Sequence, residues 1–546
     1  MLVFSLALVL STPASACGGF ACDSSAPVVQ AGERIVFAVD QQANTVEAHV
    51  QISYQGPSQD FAWIVPVPAA PEVFLSTDAL FNAIALPTQT TFTPVITSRG
   101  DCSQSQGWSG GGRATADTAY DVDYATDSAG VEVVSRTQVG PYDSVVLQAT
   151  DAQALQTWLV DHGYDLPPTF ADVIAPYVAG GQAFLALRLL KDRDTGDLAP
   201  IAFRYAGNKA SIPIQLTSIA AVPDLPLQVF YLGEHRAVPL NYLHVQINEA
   251  AIDWRTNGSN YPAVVSLAAD EAGGHAFATD YAGTPDIVPS LFPSGPIDLN
   301  HVRNAAGGGN EQGMRALAAE LGNGTATSSL FTTLDAYVQF EEGTTAADYW
   351  NCWSCYPLPL QEIDWPALID AVQVNVVDPM LHADAMVHDA PVLTRLTSSL
   401  SANEMTVDPI FGENADLPQV SNAHSAELLM LCGGSRVSNN AEAILTLSDG
   451  REVRLPSIDW VASQGSTTGA EATASTDVHA LVIEQLSESG PPTLLADNTD
   501  AAIAQADQYS HDVRRGNAGI GCATLPSSTG FAGLGLLLLA GLRRRR

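Results

Sequence analysis

The sequence predicts an α+β fold, predominantly antiparallel β, with a few short helices and a helical insertion. Three observations carry this. Val46, Ala48, Val50, Ile52 and Tyr54 alternate with Glu47, His49, Gln51 and Ser53, and a period of two marks a half-buried strand. Short apolar runs bounded by turn residues recur through the first half of the chain. After about Pro285 the apolar residues recur at helical spacing instead.

In chain order, residues 34–40 and 46–54 read as a hairpin turned at 41–44. Residues 61–65 continue as a strand, ended by Pro66 and Pro68, because proline lacks the ladder donor. Residues 101–118 form a Gly/Ser loop, and short strands follow at 131–134 and 144–148. Thr150 and Gln153 make a capping box ahead of Leu155, Trp158 and Leu159, with Gly163 at the helix end. A second helix follows Pro168. Residues 184–190 and 201–205 read as a hairpin turned at 194–197, with further strands at 211–216 and 227–232. Helices are expected at 313–321, 328–340 and 365–372. Ser401 and Glu404 form another capping box. Asp449-Gly450 turns a hairpin between 444–447 and 452–455. Residues 465–476 are a loop, and 478–486 a helix. The organisation that follows is a signal peptide (1–16), a β-rich N-terminal domain (17–285), and a helical insertion or small second domain (286–377). A C-terminal α+β region (378–512), a tether with sorting motif (513–529), and a hydrophobic segment with arginine tail (530–546) complete it.

Composition narrows the function. The 546 residues carry a formal charge of −36, so nucleic acid and anionic lipid headgroups are repelled. A hydrophobic content of 46% still supplies real cores. Both ends read as export signals. Residues 1–10 are apolar, and Ala14-Ser15-Ala16 before Cys17 is a small-x-small cleavage site. At the other end Gly521-Cys522 precedes an uncharged stretch at 530–542, then Arg543, Arg544, Arg545 and Arg546. Those 13 uncharged residues fall short of the ~20 that span a bilayer, and the arginines hold the end in the cytoplasm. Cysteine, short apolar stretch and arginine cluster together resemble the C-terminal sorting signals of myxobacterial surface proteins. The resemblance implies that a sorting protease processes the chain at Cys522, which anchors it to the membrane.

Of the seven cysteines, Cys17, Cys22, Cys102, Cys352, Cys355 and Cys432 remain as disulfide candidates in an oxidising compartment. Cys17 with Cys22 and Cys352 with Cys355 are close enough to pair locally, while a staple through Cys102 or Cys432 is equally open.

Four stretches carry a second resemblance: Cys17-Gly18-Gly19-Phe20-Ala21-Cys22; Phe61 through Pro68, reading FAWIVPVP; Val139-Gly140-Pro141-Tyr142-Asp143; and Leu393-Thr394-Arg395-Leu396 followed by Glu404-Met405 and Asp408-Pro409 to Phe411. They resemble a family of uncharacterised secreted bacterial proteins, catalogued as a domain of unknown function. The resemblance implies an exported envelope protein and no particular chemistry.

Candidate chemistry is sparse. Cys352-Trp353-Ser354-Cys355 has redox spacing, but Pro357 and Pro359 argue against the helix that activates such a pair, and a structural disulfide is preferred. His382, Asp384 and His388, with Asp389, suit a transition metal by residue type. Yet 382 and 388 lie about 600° apart around a helix, so a solvated polar segment is the preferred reading. Asp192, Asp194 and Asp197, like Asp121, Asp123 and Asp127, are acidic loop groups that fit no twelve-residue calcium loop. Ca2+ is the expected ion if one binds there. No nucleophile elbow, zinc-helix motif or phosphate loop occurs, and nothing local selects a Ser-His-Asp triad. The reading that follows is an exported, surface-anchored, non-enzymatic envelope protein with an extracellular ligand or protein partner. An exported thiol-disulfide or metal-dependent enzyme and a calcium-dependent adhesive module are the alternatives.

Overall fold

In the computed structural model the described residues are 29–518, apart from 56–61, 101–129, 165, 190–197, 293, 323–326, 342, 353–354, 357–361, 433–440 and 458–476. The first hairpin forms as its periodicity predicts. Strands Val29–Asp40 and Thr45–Gln55 pair antiparallel, with Ile35 opposite Val50. Asp40 Oδ1 accepts the backbone N–H groups of Gln42 and Ala43 at 2.8 and 2.7 Å. Asn44 closes the turn at φ 52°, a left-handed conformation that asparagine tolerates.

This hairpin lies inside a ten-stranded sheet. Its spatial order is Thr493–Asp497, Ala480–Gln485, Leu243–Ile247, Ala276–Gly283, Val392–Leu400, Leu225–Gly233, Val29–Asp40, Thr45–Gln55, Ile201–Ala206, Glu72–Leu75. Two junctions are parallel, Val29–Asp40 with Leu225–Gly233 and Leu243–Ile247 with Ala276–Gly283. The helix Tyr261–Glu271 makes the crossover at the second. The sheet therefore draws strands from both sides of the helical segment.

A four-stranded sheet, Ala62–Val67, Ala183–Leu189, Tyr142–Ala149, Val131–Val139, packs on one face of the large sheet. Trp63, Val65 and Leu185 meet Ile35, Phe37, Val46 and Ala48 in a shared core. The outer face of the small sheet carries the helices Ala152–Asp161 and Phe170–Ala179, through Leu155, Trp158, Phe170 and Ile174. On the other face of the large sheet, Val36, Phe230 and Leu232 pack against Leu80, Phe81 and Ile84 of helix Asp78–Thr88 and Ala383 and Val387 of helix Asp378–Asp389. A second four-stranded sheet contains Thr91–Arg99, Ala423–Leu431, Glu442–Thr446 and Glu452–Leu455. A three-stranded sheet joins Ala210–Ser211, Ile410–Asn414 and Arg236–Pro239. The expected helices of the insertion occur at Asn310–Leu321, Ser328–Tyr337 and Trp365–Val372.

Several expectations are corrected. Residues 478–486 are no helix: Ala480–Gln485 is a strand paired with Leu243–Ile247 and Thr493–Asp497, as β-branched Val482 and Ile483 prefer. Pro66 sits inside the strand Ala62–Val67 opposite Phe184, tolerated because that strand is at the sheet edge. Ala183–Leu189 and Ile201–Ala206 do not pair but enter different sheets. After Ala210–Ser211 the chain turns at Pro213 into the short helix Ile214–Thr217. The helix Ala152–Asp161 is capped by Asp151, which accepts Ala154 N–H at 2.7 Å, rather than by Thr150. Its other end closes at Gly163, φ +81°, with Tyr164 N–H on Leu159 O at 2.9 Å. Ser401 and Glu404 make half a capping box, Ser401 N–H on Glu404 Oε2 at 2.7 Å, but around a turn without a helix. The loops expected at 101–118 and 465–476 lie outside the described residues.

Candidate metal centre

The strand Thr45–Gln55 turns Val46, Ala48 and Val50 into the sandwich core. Period two then sends Glu47 and His49 to the opposite face, which the sequence pattern assigns to solvent. That face is covered. Helix Asp378–Asp389 buries Met380, Ala383 and Val387 and carries His382 to the Glu47 carboxylate. Glu47 Oε1 lies 2.5 Å from His382 Nε2 and 2.7 Å from His49 Nε2. Arg204, paired with Glu47 across the neighbouring strand, donates from Nε and Nη2 to Glu47 Oε2 at 2.9 and 2.6 Å. Ser76 Oγ is 2.7 Å from His49 Nδ1. The Phe74 ring stands edge-on to both imidazoles, with centroids 6.1 Å from His49 and 5.6 Å from His382.

The charges are balanced by contact. Burial pushes the Glu47 pKa up, but hydrogen bonds from His382 and His49 outweigh it and hold the carboxyl well below the usual carboxylate range. Burial lowers the His49 pKa against the pull of Glu47, so this imidazole is neutral near pH 7. A neutral imidazole is the form that binds a metal.

The donor chemistry fits a divalent transition ion. Glu47, His49 and His382 each offer one donor atom, all within 4.8 Å of one another, and two imidazoles with one carboxylate match zinc-type sites. Metal–ligand bonds of about 2.0–2.1 Å require the donors to spread slightly from their present hydrogen-bond distances. His382, whose side chain is 40% exposed, has room to do so. Arg204 occupies Oε2 and leaves Oε1 for the ion. Ser76 on His49 Nδ1 supplies the outer partner that orients a ligand histidine. Ser76 is itself fully buried, so it cannot act as a nucleophile on a substrate from solvent. Two nitrogen donors also disfavour calcium, which takes oxygen ligands.

Of the metal candidates read from the sequence, His382 joins this centre and its companions do not. Asp384 Oδ1 accepts Leu291 N–H at 2.7 Å, and the His388 ring nitrogens face the carbonyls of Asp384 and Val288 at 2.8 and 3.2 Å. Asp192, Asp194 and Asp197 lie outside the described residues, as do Asp121, Asp123 and Asp127. Cys352 and Cys355 are joined in a disulfide. Cys432 is also disulfide-bonded. Ala14, Ala16, Cys17, Cys22, Cys102, Gly521, Cys522 and Arg543 to Arg546 lie outside the described residues. The sequence signal that could have found Glu47 and His49 was their place on the polar face of a strand, which alone does not distinguish a covered face from a wet one.

Residues 11–288 match the profile of a family described as an uncharacterized protein conserved in bacteria (DUF2330). The chain belongs to this family. The matched stretch holds Glu47, His49, Ser76 and Arg204 of the DUF2330 chain, while His382 comes from beyond it. No curated protein and no solved structure matches. Among the described residues no helix is long and apolar enough to cross a membrane; the short apolar stretch at 530–542 lies outside them.

Proposed function

We propose that this DUF2330 protein is an exported, surface-anchored envelope protein whose folded part binds a divalent transition-metal ion at Glu47, His49 and His382. The observation that carries the metal reading is the convergence of two imidazole nitrogens on one oxygen of a buried carboxylate. Export and anchoring rest on the cleavage site before Cys17 and on the sequence Gly521-Cys522, apolar stretch, Arg543 to Arg546.

Titration calorimetry of the purified protein with zinc sulfate at pH 7.5 tests the reading. One zinc per chain is expected, with binding strongly weakened in Glu47→Gln, which keeps the shape of the side chain but loses its charge. Absence of saturable binding in the wild type, or equal binding in the variant, rules the centre out.

A further inference from the structure

Three adjacent strands of the large sheet bring together residues that no local motif connects. His244 stands directly opposite Glu484 across Leu243–Ile247 and Ala480–Gln485, and Thr279 comes from the next strand, Ala276–Gly283. His244 Nδ1 lies 2.9 Å from Glu484 Oε1, and its Nε2 lies 2.9 Å from Thr279 Oγ1. Proton positions follow from the partners. A carboxylate only accepts, so Nδ1 carries the proton; Nε2 then presents its lone pair and accepts from the Thr279 hydroxyl. Arg236, on the strand Arg236–Pro239, donates from Nη2 to the same Oγ1 at 3.3 Å and from Nη1 to Pro418 O at 3.1 Å. Its Nε is buried with no hydrogen-bond partner among the described residues. Thr279 Oγ1 is thus held between a base and a guanidinium.

The same four residues line a cavity of about 510 Å3, whose lining also includes the apolar Leu417, Val420, Leu481 and Pro492 and the charged Glu249, Asp449 and Arg451. Each of the three strands breaks register beside them, between Gln246 and Ile247, Thr279 and Tyr281, and Ile483 and Glu484. Bulges re-aim side chains and are over-represented next to active sites.

We infer that Thr279, His244 and Glu484 form a nucleophile, base and positioning group that cleave small carboxylic esters by acyl transfer through Thr279. Thr279 Oγ1 attacks the ester carbonyl carbon as its proton passes to His244 Nε2. The oxyanion that forms faces the Arg236 guanidinium, the kind of donor that stabilises such charge. The carbon–oxygen bond to the alcohol breaks, and His244 returns the proton to the departing oxygen. Water then attacks the acyl-threonine, giving its proton to His244, and the carboxylic acid leaves as Thr279 regains a proton. The net change is addition of one water across the ester. Glu484 keeps Nδ1 protonated and steadies the imidazolium. Burial lowers the His244 pKa against the pull of Glu484, leaving the base free near pH 7. The apolar part of that lining suits a short acyl chain.

This activity goes beyond the metal reading. The strand Thr45–Gln55 lies five strands away from Leu243–Ile247 in the sheet, roughly 24 Å at the usual strand spacing.

The test uses purified protein with p-nitrophenyl acetate and butyrate. Nitrophenolate release is expected, with an acetyl group trapped by acid quench and mapped to Thr279 by peptide mass spectrometry. Thr279→Ala and His244→Asn should each lower kcat/KM about 100-fold or more. Thr279→Ser should retain release, which separates lost chemistry from lost folding. Glu484→Gln should lower kcat with KM little changed, as expected of a group that acts through His244. Chelation with EDTA should leave the rate unchanged, so failure of the metal centre does not touch this result. Release no faster than buffer in the wild type, an undiminished rate in Thr279→Ala, or loss of the rate on chelation would each overturn the assignment.

Discussion

Replacing His382 by alanine separates the metal centre from the fold that carries it. The side chain is 40% exposed, and after its removal Glu47 keeps Arg204 and His49 as partners. The metal-free fold should therefore lose no more than about 1 kcal/mol. Metal-linked stability should change far more. Zinc at ~100 times its dissociation constant stabilises a folded protein by about 2.7 kcal/mol. Loss of an orienting partner alone weakens metal affinity ~10–100-fold, so loss of a ligand should cost at least the upper figure. At the same zinc concentration the variant then sits near its own dissociation constant, and the gain falls to about 0.4 kcal/mol. Urea denaturation with and without zinc measures both quantities, provided the slope is unchanged between samples. If zinc stabilises the wild type and His382→Ala equally, the ion sits elsewhere. If it stabilises neither, Glu47, His49 and His382 form a hydrogen-bonded cluster and no more.

Further outcomes follow from other contacts. Arg395 Nε lies 2.9 Å from Asp280 Oδ2, both side chains buried, and Thr397 and Tyr261 also bond this carboxylate. Arg395→Leu should cost about 3–5 kcal/mol by leaving a buried charge unpaired, and Asp280→Asn in the same chain should recover much of it; a loss under ~1 kcal/mol in urea melts would contradict the pairing. His244 has a lowered folded pKa and an unfolded value near 6.5. The unfolded state therefore takes up the proton first on acidification, so the stability tied to this neutral imidazole is complete above about pH 6.5 and declines below it. A flatter slope of melting temperature against pH in His244→Asn, below about pH 6.5, is the expected signature, and an identical slope would exclude it. Cys522→Ala should leave a precursor that keeps its arginine tail, read by intact mass of the cell-associated protein; an unchanged mature mass would end the sorting proposal. Cys432 N–H bonds Arg99 O at 2.9 Å, so non-reducing peptide mapping is expected to join Cys432 to Cys102, three positions further on; a link to Cys17 or Cys22 would refute this.

Elements governed by neighbours in the chain are legible in the sequence. The alternation at 46–54 marks a strand because successive side chains point to opposite faces. Asp449-Gly450 marks a hairpin, and Gly450 indeed takes φ +87°. Leu155, Trp158 and Leu159 mark a helix by their spacing. Where neighbours leave a choice, the tertiary structure makes it. Residues 480–485 satisfy a short helix or a strand by composition, and pairing with Leu243–Ile247 decides for the strand. Pro66 stays in a ladder because its strand is at an edge. Both candidate sites belong to this second class. Periodicity places Glu47 and His49 on one face, but a helix residue 335 positions away from Glu47 decides that the face is buried. His244 and Glu484 are 240 positions apart, and Thr279 meets them only through strand order. Local sequence determines which side chains lie together on one face of an element, because backbone geometry repeats over two to four residues. What covers that face is determined by chain segments arriving from far along the sequence, and no short pattern encodes them.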